Sequence, residues 1–152
     1  MKVAAIVVSH GSAAELAENL PALEAQVDEL VVIANLPGSV PPGVSALANE
    51  RPLGFAANLN LGVSHTTADA VLAVNPDARP EPGAVASLVS FMAAHPRCGV
   101  AGPRMVFPDG SPQPSRSPGP WRSPAAADCG RPASCGRSAR ADRGGMQGRC
   151  ST

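Results

Sequence analysis

The first part of the chain alternates a continuous apolar run with a helical pattern and then with a second apolar run. Residues 3–8 are apolar and mostly β-branched, which predicts a central parallel strand that ends at Ser9 and His10. The next apolar residues recur at helical spacing and predict a helix to about residue 26: Leu16, Leu20, Leu23 and Val27. Residues 30–34 form the second run. This order predicts a βαβ unit with a right-handed crossover, whose loops lie at the carboxyl edge of the sheet.

Local signals predict how the first helix begins and where the other elements lie. Ser12 stands three residues before Glu15, which predicts a capping box at the start of the helix. The further predicted elements are a short strand at 45–49, a glycine turn within 52–62 followed by a weak helix to about 67, a buried strand at 71–74, a helix with an apolar stripe at Val85, Leu88, Val89 and Met92, and a strand or extended segment at 99–106. The chain is therefore predicted to be α/β and Rossmann-like, with a mostly parallel sheet and flanking helices.

The tripeptide Asn75-Pro76-Asp77 ends the apolar run at 71–74 abruptly. Pro76 has no amide hydrogen and disfavours helix at the residue before it, so the strand should end there, with Asp77 just beyond its carboxyl end. Ligands bind at that edge of an open α/β sheet, and a carboxylate there can bind Mg²⁺ or Mn²⁺ beside a diphosphate. The alternative is that Asp77 caps the next helix or shapes a turn.

The composition divides the chain into two unlike parts. Residues 1–116 carry ten acidic and six basic side chains, whereas residues 117–152 carry two acidic residues and six arginines, with no Leu, Ile, Val or Phe. A segment of this composition cannot bury enough apolar surface to fold, so residues 117–152 are predicted to be disordered. They suit a basic arm for nucleic acid, but their Arg, Gly, Ala, Ser and Pro content favours a frameshift or truncation product. We therefore expect no nucleic-acid partner.

Membrane and cysteine signals are weak. The apolar run at 3–8 is far shorter than the roughly 20 residues of a membrane span, and no signal-peptide pattern precedes it, so no transmembrane segment is predicted. Cys98 is predicted to be a small core residue, and Cys129, Cys135 and Cys150 form no Cys-x-x-Cys pair. Neither a disulfide framework nor a zinc site is predicted.

Four segments in this order resemble the amino-terminal half of family-two glycosyltransferases of the GT-A fold, especially the rhamnosyltransferase-like branch. The resemblance covers roughly residues 3–116. The segments are Ile-Val-Val-Ser-His-Gly-Ser at 6–12, Leu-Gly-Phe-Ala-Ala-Asn-Leu-Asn-Leu-Gly at 53–62, Asn-Pro-Asp at 75–77, and Gly-Pro-Arg at 102–104 followed by Pro-Asp-Gly-Ser-Pro-Gln-Pro-Ser at 108–115. Each segment alone is weak, whereas the ordered set is specific.

The resemblance implies a set of donor-site residues. Asn75-Pro76-Asp77 stands for the family's Asp-x-Asp signature, and Asp77 is the implied contact to Mg²⁺ or Mn²⁺. The residues implied to bind the nucleotide sugar are Ser9, His10, Asn35, Gly54, Asn58, Asn60 and Asn75. Alternatives remain for three of them, since His10 could be simply exposed or satisfied by core groups, and Asn58 and Asn60 could cap a local turn.

The resemblance also implies partners and a location. The donor is a nucleoside-diphosphate sugar, with dTDP-rhamnose as the example suggested by the rhamnosyltransferase-like branch. The acceptor is a polysaccharide or a lipid-linked glycan in cell-wall polysaccharide synthesis. The expected location is cytoplasmic, with a peripheral position at the inner membrane face as the alternative.

Two departures from the family pattern limit what is expected of the chain. After its second strand the family usually has Asp-Asn, whereas this chain has Ala34-Asn35, so base recognition through that carboxylate is lost. The acceptor-binding half, with the aspartate that acts as general base, is expected after Ser115, where the arginine-rich residues 117–152 stand instead. We therefore assign no catalytic residue and expect an incomplete, inactive fragment. The alternative function is a non-catalytic α/β nucleotide-binding or interaction module.

Overall fold

The computed structural model describes residues 1–107 and 109–113. In chain order the elements are β1 (Val3–Ser9), α1 (Ala13–Glu24), β2 (Glu29–Ala34), β3 (Leu47–Ala48), α2 (Phe55–Val63), β4 (Ala70–Val74) and α3 (Ala84–Ala94). The segment predicted to be disordered, 117–152, lies outside the described residues.

The four strands form one parallel sheet in the order β3-β2-β1-β4. The chain runs outward from β1 through β2 to β3, and then returns to the other side of β1 to form β4. The strand order therefore reverses between β1 and β4, and the crevice beyond their carboxyl ends is the expected ligand position in a sheet of this kind. The predicted α/β, Rossmann-like fold with flanking helices is confirmed.

Alternate residues of β1 face two different cores. Ala5 and Val7 pack with the three buried leucines of α1, Leu16, Leu20 and Leu23. Ile6 and Val8 pack with Ile33 of β2, and leucines of α2 lie against them. Because side chains alternate between the two faces of a strand, α1 and α2 must cover opposite faces of the sheet. This double coverage explains why β1 is buried along its whole length and has a continuous apolar sequence.

Gly62 allows α2 to lie close to β1. A Cβ atom at this position would be 2.5 Å from Cγ2 and 2.9 Å from Cδ1 of Ile6, a fully buried side chain. Overpacking of a core costs roughly 1–3 kcal/mol, and the gain of about 1 kcal/mol for alanine over glycine in a helix offsets only part of it. We expect Gly62→Ala to lower the free energy of unfolding in urea by about 1 kcal/mol. Gly99→Ala is the control, because no atom lies within 4 Å of its added Cβ; a Gly62→Ala variant as stable as the parent would contradict this packing.

An ion pair lies at the amino edge of the sheet. Glu29 accepts hydrogen bonds from the ammonium group of Lys2 and from the hydroxyl of Thr66. The hydrogen bond from Lys2, with a further contribution from Thr66, lowers the pKa of Glu29, and the same pair raises the pKa of Lys2. A carboxyl group whose pKa is lower in the folded state stabilises the fold above its unfolded pKa, and this contribution is lost as the pH falls through the folded value.

The charge of Glu29 should therefore contribute to the acid sensitivity of the fold. Replacement by glutamine keeps the size of the side chain and removes the titration. We expect the Glu29→Gln variant to lose less stability than the parent as the pH falls below about 4.5, the ordinary pKa of the group. Thermal unfolding between about pH 6 and pH 3 measures this. An equal loss of stability with falling pH in the parent and in Glu29→Gln would show that the titration of Glu29 does not affect folding.

Two local expectations, the capping box at Ser12 and the burial of Cys98, are wrong. The hydroxyl of Ser12 makes no capping hydrogen bond to any described residue, so the predicted capping box is absent. The backbone of Ser12, at φ −105° and ψ 43°, is away from the extended conformation that directs a capping side chain to the helix amides. Cys98 is also not a core residue: it is half-buried, and its thiol donates to the backbone oxygen of Val100 at 3.2 Å.

Two predicted strands differ from the structure, one in its strand pairing and the other in its burial. In the segment at 99–106, pairing is limited among the described residues to one antiparallel bridge between Val106 and Pro112. Glycine and proline at 99, 102 and 103 weaken strand pairing there. The strand predicted as buried is β4, but Val71 is 41% exposed. It lies at the edge of the sheet, and α2 packs over β1 and β2.

Within the described residues, every helix is too short or too polar to cross a membrane.

Candidate ligand site at the carboxyl edge of the sheet

A polar residue follows each strand at the carboxyl edge. His10 comes after β1, and asparagines come directly after the other three strands, at Asn35, Asn49 and Asn75. The parallel register pairs Ser9 with Ala34 and Val7 with Val74, so these ends lie along one edge of the sheet. The fold thus collects side chains that are far apart in sequence at the position where such sheets bind ligands.

Asn35 is the centre of a hydrogen-bond network at this edge. It is 4% exposed, and its amide oxygen accepts from the backbone N–H of Leu53 and from Nδ2 of Asn49, each at 2.8 Å. Its amide nitrogen donates to the backbone oxygen of Leu53 at 3.0 Å and to Nδ1 of His10 at 2.9 Å. This side chain therefore joins the loops that follow β1, β2 and β3.

Asn58 extends the network to α2. It is fully buried, and its Nδ2 donates to the backbone oxygens of Leu53 and Gly54, both at 3.1 Å. Its amide oxygen accepts from Nδ2 of Asn49 at 2.7 Å. Since buried amides are costly without partners, these bonds explain how Asn35 and Asn58 can lie beneath the surface, and they fix the start of α2.

The predicted site residues fall into two groups in the structure. Three are buried, namely Ser9, Asn35 and Asn58, and the hydroxyl of Ser9 donates to the backbone oxygen of Ser39. Five are exposed: His10, Gly54, Asn60, Asn75 and Asp77. The hydrogen bonds bring together Asn35, His10, Gly54 and Asn58; within the described part of the chain, Asn60, Asn75 and Asp77 share no bond with this network. Asn49 was missed by sequence reasoning, although its place directly after a strand gave a signal.

The loop that carries Asp77 is held against α1. Nδ2 of Asn19 donates to the backbone oxygen of Pro76 at 3.1 Å, and Nε2 of Gln26 donates to that of Pro80 at 3.3 Å. The N–H of Ala78 donates to the backbone oxygen of Asn75 at 3.1 Å and closes the turn between them. The exposed carboxylate of Asp77 therefore lies in a turn fixed on both sides, three residues beyond the end of β4.

The carboxylate of Asp77 suits a hard cation such as Mg²⁺, which can take most of its oxygen ligands from the bound molecule and from water. Among residues 1–107 and 109–113, no three or more His, Cys, Asp or Glu side chains are grouped to hold a metal ion. Mg²⁺ commonly takes one or two carboxylates from the protein and completes its octahedron with substrate phosphates and water. A single exposed carboxylate fits this mode, in which the ligand brings most of the oxygens.

A parallel sheet with a reversal of strand order and a polar carboxyl edge defines the chain as a Rossmann-like α/β protein with a candidate nucleotide site. The profile of Glycosyl transferase family 2 matches residues 5–129, which is well over half of the chain, so the chain belongs to this family. The match runs past residue 116, where the predicted donor-binding half ends.

One solved structure supports the fold. It is described as the crystal structure of S. aureus TarS 1-349; the similarity has a TM-score of 0.52 at 17% sequence identity and covers 71% of this chain. The chain spans 40% of that structure. None of the curated proteins compared with the chain matches it significantly.

Proposed function

We propose that the chain binds the nucleoside-diphosphate sugar in a glycosyl transfer reaction. The observation that carries the proposal is the exposure of His10, Asn75 and Asp77 beyond the ends of β1 and β4, where the strand order reverses, in a chain of Glycosyl transferase family 2. Exposed Gly54 and Asn60 of the α2 region are the further proposed contacts. The buried residues Ser9, Asn35 and Asn58 support this surface from beneath.

Asp77 is the residue proposed to hold Mg²⁺ or Mn²⁺. When bound, such an ion neutralises the charge of the diphosphate and favours its departure from the sugar. The chain's own part is to present one carboxylate in a fixed turn. Asn75, at the start of that turn, is proposed to donate its side-chain amide to the sugar or the ribose.

The identities of the donor and the acceptor are part of the same proposal. The donor is proposed to be dTDP-rhamnose or a similar nucleoside-diphosphate sugar, and the acceptor a polysaccharide or a lipid-linked glycan of the cell wall. The reaction would take place on the cytoplasmic side, free or at the inner membrane face. Transfer needs a base within reach of the acceptor hydroxyl, and we assign none among the described residues.

Calorimetric titration tests the binding proposal. Thymidine, uridine, guanosine and adenosine diphosphates are titrated into the chain with Mn²⁺ and with EDTA in its place. We expect binding that depends on the cation, with small differences among the bases because Ala34 supplies no carboxylate. A folded chain that binds none of these nucleotides, with or without Mn²⁺, would contradict the proposed function.

A further inference from the structure

The three histidines differ in the group that faces Nδ1 of the imidazole ring. Nδ1 of His65 lies 2.9 Å from the backbone oxygen of Leu61, and Nδ1 of His95 lies 2.8 Å from that of Phe91. A carbonyl oxygen only accepts, so these two rings carry a proton on Nδ1. His10 is different, because its Nδ1 lies 2.9 Å from the side-chain amide of Asn35.

Backbone groups fix the orientation of the Asn35 amide. The N–H of Leu53 can only donate, so the Asn35 atom 2.8 Å from it must be the amide oxygen. The carbonyl of Leu53 can only accept, and it lies 3.0 Å from the other amide atom, which must be nitrogen. The same nitrogen faces His10. Nδ1 of His10 is therefore an acceptor without a proton, and in the neutral ring the proton lies on Nε2.

Asn49 holds Asn35 in this orientation. The Asn58 amide is fixed by two backbone oxygens, those of Leu53 and Gly54, so its oxygen faces Asn49. Nδ2 of Asn49 consequently donates to two amide oxygens, one of Asn35 and one of Asn58. Asn58 and Asn49 therefore add to the two Leu53 backbone bonds that fix the Asn35 amide, and the orientation of this amide determines the tautomer of His10.

We propose that this network holds His10 as a neutral Nε2–H donor to an oxygen of the bound nucleotide, and that Asn35, itself held by the Leu53 backbone and by Asn49, is the residue that positions the His10 ring. The proposal rests on the proposed function. His10 is an exposed side chain of the network and directly follows β1 at the reversal of strand order. A fixed donor at this place selects an acceptor oxygen, either a base carbonyl or a phosphate oxygen.

Nitrogen-15 NMR of the histidine rings in the full chain tests the tautomer. His65 and His95 serve as internal controls, since both are expected to show a protonated Nδ1. We expect His10 to show the opposite pattern, with a protonated Nε2, and Asn35→Ala to change the His10 pattern toward a mixture of tautomers while His65 and His95 stay unchanged. A His10 ring protonated on Nδ1 in the parent chain, or one that does not respond to Asn35→Ala, would overturn the proposal.

Two substitutions at exposed His10 separate the network from the ligand contact. In His10→Asn, the short amide keeps a polar atom near the position of Nδ1 and removes the Nε2 donor; in His10→Gln, the longer amide keeps a donor near Nε2. With thymidine diphosphate and Mg²⁺ as the probe, we expect about tenfold weaker binding for His10→Asn, the equivalent of one hydrogen bond, and a loss of at most about threefold for His10→Gln. Equal binding by His10→Asn and the parent would overturn the proposal.

Titrations with thymidine and with Mg²⁺ pyrophosphate identify the oxygen that His10 meets. A loss for His10→Asn with thymidine alone assigns the donor to a base carbonyl, and a loss with pyrophosphate alone assigns it to a phosphate oxygen. Failure of the proposed function is distinguishable from failure of this inference. In the former, the parent chain binds no nucleotide although His10 has the expected tautomer; in the latter, the parent binds and the His10→Asn variant binds as well.

Discussion

Replacing Asp77 by alanine should remove the dependence of nucleoside-diphosphate binding on Mn²⁺. Asp77 is the carboxylate proposed to bind the cation. It lies in a turn held by Asn19 and by the hydrogen bond between Ala78 and Asn75. Without it, the cation is held only by the ligand and water. We expect the dissociation constant for thymidine diphosphate in Mn²⁺ to rise about a hundredfold, the equivalent of roughly 2.7 kcal/mol, toward the value measured in EDTA. Calorimetry measures both constants.

Asp69 supplies the matched control, because it lies at the opposite end of the same strand. It precedes β4 and accepts a hydrogen bond from the backbone N–H of Lys2 at 2.7 Å. Asp69→Ala removes one carboxylate from the same element and should leave the effect of Mn²⁺ unchanged. Retention of Mn²⁺-dependent binding in Asp77→Ala would show that the cation is held elsewhere.

Replacing Asn58 by aspartate should produce the largest loss of stability among the single substitutions considered. The new side chain has the same shape, but a carboxylate cannot donate to the backbone oxygens of Leu53 and Gly54 and would be buried against them. An uncompensated buried charge costs about 3–5 kcal/mol, which is a large share of an ordinary free energy of unfolding of about 5–15 kcal/mol. Circular dichroism in urea measures the loss.

Asn60→Asp is the control for this substitution. Asn60 lies on the same helix, two residues further on, and is exposed, so the same chemical change should alter stability by less than about 0.5 kcal/mol. Burial should also raise the pKa of the carboxyl introduced at 58, so the Asn58→Asp variant should recover part of its stability as the pH falls. Equal stability of the two variants would contradict the buried network.

The sequence predicted the central strand, the first helix and the parallel sheet well because their signals are local. Residues 3–8 are apolar without interruption, which is the pattern of a strand covered on both faces. The α1 leucines recur at helical spacing, and all three pack on the same face of β1. The carboxyl edge could be located as well, since a parallel βαβ order determines at which edge the loops lie.

The amide network could not be predicted because its partners are distant in sequence. Asn35 bonds to His10, Asn49 and Leu53, which lie 25, 14 and 18 residues away. An asparagine after a strand is equally typical of a turn, and local sequence does not distinguish a buried amide from an exposed one. The assignment of Ser9, Asn35 and Asn58 to the ligand surface stays a prediction for direct contact, while the structure shows each of them bonded to protein groups.

The extent of burial at β4 also depends on information that the sequence pattern lacks. Residues 71–74 are as apolar as a central strand, but β4 lies at the edge of the sheet. Periodicity reports which side chains avoid water and does not report which neighbouring element covers them. The half-exposed Val71 is the consequence.

Backbone amide NMR locates the binding site of the sugar donor on the chain. Thymidine-diphosphate rhamnose and Mg²⁺ are titrated into the isotope-labelled chain, and the shifted amide signals are assigned. We expect them to cluster at the carboxyl edge, around His10, Gly54, Asn60, Asn75 and Asp77, while signals at the amino edge, around Lys2, Glu29 and Thr66, do not move. Shifts confined to the amino edge, or none at all in a folded chain with excess ligand, would contradict the claim that this edge binds the sugar donor.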